Sequence, residues 1–244
     1  MKKKILDIPI HNTSLNSFVN EIIGWLDKDD KKQVVTVNPE IVMLAQNNDR
    51  MKNILQSTIN IPDGSGLMFA ARYLGFSLKE RVPGVDLTEK LLLSLRGAEQ
   101  SVYLLGAKHG VADRVAGKYI RKNKELNIVG AESGYRWWWQ LPDKEIVNRI
   151  NRTKPRLLLV AYGAPKQEVW LDQYLKKMPS VKVAIGVGGT FDYLSGSVKR
   201  APRLMRYLYL EWLWRLWMQP WRWPRIITAT WRFSWAVIRY RKKV

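Results

Sequence analysis

An α/β fold of two Rossmann-like halves with mainly parallel strands, followed by a C-terminal amphipathic helical appendage, is predicted by three features of the sequence. Short β-branched runs alternate with helical patterns through most of the chain, the signature of parallel strands joined by crossover helices. Several of those runs end in glycine-bearing turns. The 244 residues are 46% apolar, enough to build a buried core and incompatible with intrinsic disorder.

In chain order, strands are expected near residues 5–8, 33–37, 58–61, 101–105, 127–130, 156–162 and 181–187. Ser14 opens a helix whose apolar side carries Phe18, Ile22, Ile23 and Trp25. Pro39, at an early helical position, starts another that runs through Val42, Met43 and Leu44 towards Ile54 and Leu55. Further helices are expected at 64–74, 86–95, 110–123, 143–151 and 165–177. A fresh strand follows the polar stretch 95–100, which divides the chain into an N-terminal half, 1–97, and a second half, 98–198, with a crevice between them. From residue 199 to 244 the character changes: one long helix to Gln219, a break at Pro220 and Pro224, and a second helix to about Arg241.

Composition removes several classes of chemistry. The absence of cysteine excludes disulfides, thiolate metal sites and cysteine nucleophiles, and fits a reducing compartment. With His11 and His109 the only imidazoles, a transition-metal site is not expected, and His109 reads as the start of a helix. Residues 1–10 lack the apolar stretch of a secretory signal, and no run of 18 uncharged apolar residues occurs anywhere, so a cytoplasmic protein without a spanning helix is expected.

In a parallel sheet, ligands bind beyond the carboxyl ends of the strands, where loops and helix N-termini offer free N–H groups and positive dipole ends. Those positions hold Thr36, Asn38 and Pro39, then Asp63-Gly64-Ser65-Gly66. A carboxylate there can take a proton from a substrate hydroxyl, with two glycines admitting a ligand close to the backbone. Position alone leaves equally open that Asp63 caps the next helix. Further along stand Gly106-Ala107-Lys108, then Gly163-Ala164-Pro165-Lys166-Gln167-Glu168, then Gly186-Val187-Gly188-Gly189-Thr190-Phe191-Asp192. Each glycine alone is explained by a tight turn, whereas three such ends in one half suit a diphosphate and a nucleoside. Neither a Walker loop nor a complete GxGxxG follows a strand, which weakens generic ATP or dinucleotide binding. No DxD pair suited to a nucleotide-sugar metal is present, so Arg, Lys and backbone amides would neutralise a leaving diphosphate. The run Trp137-Trp138-Trp139 reads as packing rather than a stacking platform.

Charge concentrates at the C-terminus. The chain carries +20, from 41 Lys and Arg against 21 acids; residues 199–244 hold twelve of those cations against Glu211 alone. Seven of the twelve tryptophans lie there too, among them Trp212, Trp217, Trp221, Trp231 and Trp235. On a continuous helix, Arg203, Arg206, Glu211 and Arg215 share one half of the circumference, and Glu211 and Arg215 are spaced as an i,i+4 pair. Trp with interspersed Arg describes an interfacial helix on anionic lipid. Nucleic acid is the rival partner, but the apolar fraction exceeds what a phosphate-tracking groove needs. A plainer alternative is that part of the segment covers the core of its own domain.

Read in order, residues 36–40, 62–66, 81–86, 163–168, 186–192, 200–202 and 210–212 resemble the WecG/TagA/CpsF family of bacterial glycosyltransferases, within it the N-acetylmannosaminyltransferases of wall teichoic acid synthesis. The resemblance implies a hexosyltransferase that moves N-acetylmannosamine from UDP-ManNAc to the 4-hydroxyl of GlcNAc in undecaprenyl-diphosphate-GlcNAc. It implies inversion to a β-1,4 linkage, and a reaction that needs no metal or other cofactor. It makes Asp63 the base, matches Thr36 and Asn38 to polar acceptor-side positions, Arg81 to an active-site arginine and Gln167 to the glutamine of the Pro-Lys-Gln-Glu motif. The donor side is expected to comprise Gly106, Gly134, Tyr135, Gly163, Pro165, Lys166, Gly188, Gly189 and Asp192. Arg215, Arg222 and Arg225 are the nearest equivalents of the tail arginines that fold over the diphosphate. The appendage is expected to dock on the anionic inner leaflet and to convert a homo-oligomer in solution into a monomer on the membrane. Two alternatives stand beside this: a relative that uses UDP-N-acetylmannosaminuronic acid, and a non-catalytic basic module binding membrane or nucleic acid.

Overall fold

The computed structural model describes residues 3–136, 139–140, 142–218 and 220–242; the side chains of residues 135, 136, 139, 140, 215 and 222 are outside that description. It opens with a hairpin, β1 (Lys3–Ile5) and β2 (Ile8–Ile10), and continues through α1 (Leu15–Leu26), β3 (Lys32–Val37), α2 (Pro39–Gln46), α3 (Asp49–Ser57), β4 (Ile59–Pro62), α4 (Ser65–Tyr73) and α5 (Gly84–Ser94). There follow β5 (Val102–Gly106), α6 (Val111–Lys122), β6 (Ile128–Glu132), the short β7 (Tyr135–Arg136) and β8 (Trp139–Gln140), α7 (Asp143–Thr153), β9 (Leu157–Ala161), α8 (Lys166–Tyr174), β10 (Val183–Gly186) and α9 (Thr190–Leu194). The tail holds α10 (Arg203–Tyr207), α11 (Glu211–Met218), α12 (Trp223–Ile227) and α13 (Phe233–Arg241).

Six strands form one parallel sheet in the order β4-β3-β10-β9-β5-β6. The chain builds outward from β3 to β4, starts again at β5 and builds outward to β6, and fills the gap with β9 and β10. The boundary expected near residue 97 is therefore not a break in the sheet, because β10 pairs with β3 on one side and with β9 on the other. The helix after β3, α2, packs on one face of the sheet and the helix after β10, α9, on the other, and a crevice lies at the carboxyl ends of these neighbouring strands.

Alternate residues of the central strands feed the two faces. Val34, Leu157, Leu159, Val183 and Ile185 pack with Phe18, Leu87, Val115 and Phe191 on one side. Leu158, Val160 and Ala184 face α7 and α8 on the other, and Val35 and Val37 face α2, α4 and α13. Strands buried on both faces read as continuous apolar runs, which is why β9 and β10 stand out in the sequence.

Local chemistry accounts for the helix starts. The Ser14 side chain accepts from the Ser17 amide, and Asn38 Oδ1 accepts from the Ile41 amide with Pro39 in the first turn. Three expectations are corrected. The strand expected at 5–8 is a hairpin turn, with Leu6 and Asp7 both at positive φ (49° and 66°). The helix expected from Pro39 to Leu55 is two helices, because Asn48 Oδ1 caps a new start by accepting from the Met51 amide. The long helix expected up to Gln219 is interrupted between α10 and α11, where Tyr209 has φ 61°. Arg203 and Arg206 consequently do not share one continuous helical face with Glu211.

Candidate functional site

Two cavities meet at the carboxyl edge of the sheet. The smaller, about 170 Å³, is polar: Thr36, Gly163, Gln167, Gly188, Gly189, Thr190 and Asp192 come to it from the ends of β3, β9 and β10, and Arg200 closes it from the tail. The larger, about 650 Å³, is mostly apolar. It lies between α4 and the tail, lined by Phe69, Ala70, Tyr73, Leu208, Tyr209, Ala229, Phe233 and Ile238 among others. Asn38, Glu40, Asp63, Glu211 and Arg225 border both.

Asp63 is held at this junction by its backbone. It follows β4 directly, and its amide donates to the Val37 carbonyl at 2.7 Å, tying it to the end of β3. Helix α4 takes Gly64, the residue after Asp63, as its N-cap. The two following glycines serve the protein's own packing. A Cβ on Gly64 would lie 2.6 Å from Pro39 Cδ, and one on Gly66 2.7 Å from Pro39 Cγ. Both glycines also line the larger cavity: the Pro39 ring on one side leaves no room for a side chain, and the other side faces open space.

The other expected residues divide into groups. Asn38 borders both cavities while capping α2, and the Thr36 hydroxyl donates to the Gly186 carbonyl at 3.0 Å. Arg81 lines the apolar cavity with its guanidinium 2.5 Å from Glu211 Oε2 and over the Tyr209 ring. Arg225 lines both cavities, 2.5 Å from Glu40. Gly163, Gly188, Gly189 and Asp192 line the polar cavity. Gly106 and Gly134 do not: a Cβ on Gly106 would strike the Ala161 backbone at 2.7 Å, and one on Gly134 the Tyr162 hydroxyl at 2.2 Å. Both glycines are accounted for by packing. Pro165 precedes α8 and Lys166 begins it, both exposed and outside the polar lining. The side chains of Tyr135, Trp139, Arg215 and Arg222, and the whole of Trp137 and Trp138, fall outside what the structure describes.

Gln167 is buried, 2% exposed. Its carboxamide oxygen accepts from the amides of Gly163 (3.1 Å) and Gly188 (2.9 Å), and its nitrogen donates to Glu168 Oε1 at 2.7 Å. It joins the two glycine loops instead of presenting a free amide to the cavity. Glu168 is fully buried, and that burial pushes its carboxyl up to about 7 against the lowering effect of the Gln167 hydrogen bond.

Motif reading alone missed the ionic seam between tail and body. Glu211 reaches Arg81 through Oε2 and Arg200 Nε through Oε1 (3.6 Å), and Arg200 makes a bidentate pair with Asp86 at 2.5 and 2.8 Å. Glu211 is thus engaged across the chain; the Arg215 side chain expected at i,i+4 lies outside the described residues. The Arg81 partner lies 130 positions away, a separation no local periodicity reveals. The tail also points in two directions. Phe233 and Val237 are in the core, while Trp217, Trp221 and Trp231 are more than 70% exposed, and Trp212 and Trp235 are also exposed. Among the described residues no helix is long and apolar enough to cross a membrane, and no three His, Cys, Asp or Glu side chains gather as a metal site would require.

A family model described as the glycosyl transferase WecG/TagA/CpsF family matches residues 3–244. A Bacillus subtilis (strain 168) protein named N-acetylglucosaminyldiphosphoundecaprenol N-acetyl-beta-D-mannosaminyltransferase is 33% identical over 241 residues, covering 98% of this chain and 91% of that protein. Proteins of the same name from Bacillus spizizenii (strain ATCC 23059 / NRRL B-14472 / W23) and Staphylococcus aureus (strain MRSA252) are each 32% identical. They cover 98% and 88% of this chain, and 92% and 84% of their own lengths.

Proposed function

From the premise that this chain belongs to the WecG/TagA/CpsF glycosyltransferase family, we propose that it transfers N-acetylmannosamine from UDP-ManNAc to the 4-hydroxyl of GlcNAc in undecaprenyl-diphosphate-GlcNAc. The observation that carries the reading is the place of Asp63, on the border between a polar cavity and an apolar one. A nucleotide sugar suits the first, with its glycine loops and hydrogen-bonding side chains. A polyprenyl chain suits the second. The two substrates then meet where the carboxylate stands.

The chemistry follows from that arrangement. The Asp63 carboxylate takes the proton as the acceptor oxygen attacks C1 of the donor sugar. The bond from C1 to the diphosphate breaks, and UDP leaves from the opposite face with inversion to a β-1,4 linkage. Arg225, at the rim of both cavities, is the described cation best placed to stabilise the departing diphosphate, and it exchanges Glu40 for that anion. With arginine and backbone amides in that role, the reaction is expected to proceed without a divalent metal.

Because the acceptor is lipid-linked, the apolar cavity must open towards a bilayer. Outward tryptophans beside a cationic tail suit docking on the anionic inner leaflet. The test is an assay of UDP release with a short-chain lipid diphosphate GlcNAc, offered UDP-ManNAc or the uronic acid donor, with and without EDTA. Turnover with UDP-ManNAc that survives EDTA supports the proposal. Turnover only with the uronic acid donor, or none with either, removes it.

A further inference from the structure

The Gln167 carboxamide presents a problem of orientation. Its two ends are nearly identical in shape, yet Gly163 and Gly188 both offer it N–H donors, so only the oxygen can face them. Turned about its axis, the group would set an NH2 against two amides. Something on the other end must hold the nitrogen. Glu168 Oε1 does so at 2.7 Å, and a carboxyl oxygen can accept there both when the group is ionised and, as its carbonyl, when it is protonated.

The surroundings leave little freedom. Glu168 is fully buried at the third position of α8, and its backbone carbonyl accepts from Gln33 Nε2 at 3.1 Å, which fastens the helix to β3. The Gln167 side chain passes over Gly186, where a Cβ would lie 2.7 Å from its nitrogen. Gly163 and Gly188 both adopt positive φ, 79° and 56°, in turns that leave different strands, β9 and β10. One carboxamide therefore spans the two loops that wall the polar cavity. The second Glu168 oxygen has no hydrogen-bond partner. A buried carboxyl kept at that expense, in contact with this amide, calls for a function.

We infer that Glu168 is a positioning residue for the donor site: it fixes the Gln167 carboxamide in the one orientation that clips the Gly163 and Gly188 loops together. This rests on the reading of the polar cavity as the nucleotide pocket. Glu168 touches no substrate in this account and acts only through Gln167.

The experiment is a pair of substitutions that reverses the hydrogen bond. The carboxylate introduced by Gln167→Glu can still accept from both glycine amides, but it faces the carboxylate of Glu168; adding Glu168→Gln restores a donor and acceptor with the polarity exchanged. UDP affinity, measured by calorimetry on the full chain, should fall about tenfold in Gln167→Glu and in Glu168→Leu. It should return to within about threefold of wild type in Q167E/E168Q. Amide hydrogen exchange at Gly163 and Gly188 should quicken in both single variants and slow again in the double variant. A double variant that binds UDP no better than Gln167→Glu, or a Glu168→Leu protein with wild-type affinity and wild-type exchange at both glycines, overturns the inference. A wild-type protein that binds no UDP refutes the nucleotide reading instead, and the exchange data then decide on the clip by themselves.

Discussion

The polar cavity and the apolar cavity are built by different means. The first is made mainly by strand ends and the helix starts that follow them: Thr36, Gly163, Gln167, Gly188 and Asp192 are positioned by one sheet, and Arg200, Glu211 and Arg225 of the tail complete its rim. The second exists only because the tail returns to α4, with Phe233 and Val237 pressed among Ile41, Leu67 and Ala70 while the tryptophans beside them face outward. A site formed by a docked segment depends on that docking, here on buried apolar side chains and on the Arg81–Glu211–Arg200–Asp86 seam. The contrast assigns sugar chemistry to the first and lipid access to the second.

The largest expected effect lies at the border between them. Asp63→Asn should lower transfer about 10³-fold with UDP affinity unchanged, since removing a base leaves donor contacts intact. Turnover within a few-fold of wild type would take Asp63 out of the reaction. Next come the two faces of the tail. Phe233→Ala should cost about 4 kcal/mol of stability in chemical denaturation, as expected for a buried phenylalanine. Exchanging Trp217, Trp221, Trp231 and Trp235 for Gln should leave that stability within ~1 kcal/mol while weakening binding to anionic vesicles about a hundredfold. If both sets of changes act on the same property, the tail does not have two separate faces.

The polar side has a pH signature. Glu168 has a folded-state value of about 7, raised by burial above the ordinary 4.5, so its contribution to stability is fully present below 4.5 and is lost as pH rises towards 7. Relative to Glu168→Gln, the wild-type protein should lose at most ~3 kcal/mol across that window. Parallel curves for the two proteins would show that Glu168 titrates normally. The smallest effect is at Asn38, where Asn38→Ala removes the cap of α2 and should lower stability by about 1 kcal/mol.

Much of the strand-end chemistry is legible because it is local. Asp63, Asn38, Gly163, Gly188 and Asp192 sit next to apolar runs that announce strands, and a carboxylate or glycine at such a place has few roles. Arg81 and Arg225 take their places from the family resemblance, not from spacing. The failures share a cause. Leu6 and Asp7 read as strand because apolar residues flank them, but the hairpin is decided by backbone angles that only pairing of β1 with β2 enforces. Asn48 lies inside the span expected as one helix, where its side chain begins another. Gly106 and Gly134 are open to a ligand reading because their crowding comes from Ala161 and Tyr162, neighbours supplied by the fold. The Arg81 and Arg200 partners of Glu211 are invisible to spacing, because the turn at Tyr209 places α11 against the body.

The claim that two separate cavities serve two substrates is tested most directly by titrating UDP into the protein before and after saturation with a detergent-solubilised, short-chain polyprenyl diphosphate GlcNAc. The account predicts a ternary complex, with UDP affinity changed less than about threefold by the lipid and the lipid lost selectively when Phe69 is replaced by Glu. Mutual exclusion, with the lipid displacing UDP competitively, would mean that both ligands use one site and would contradict the account.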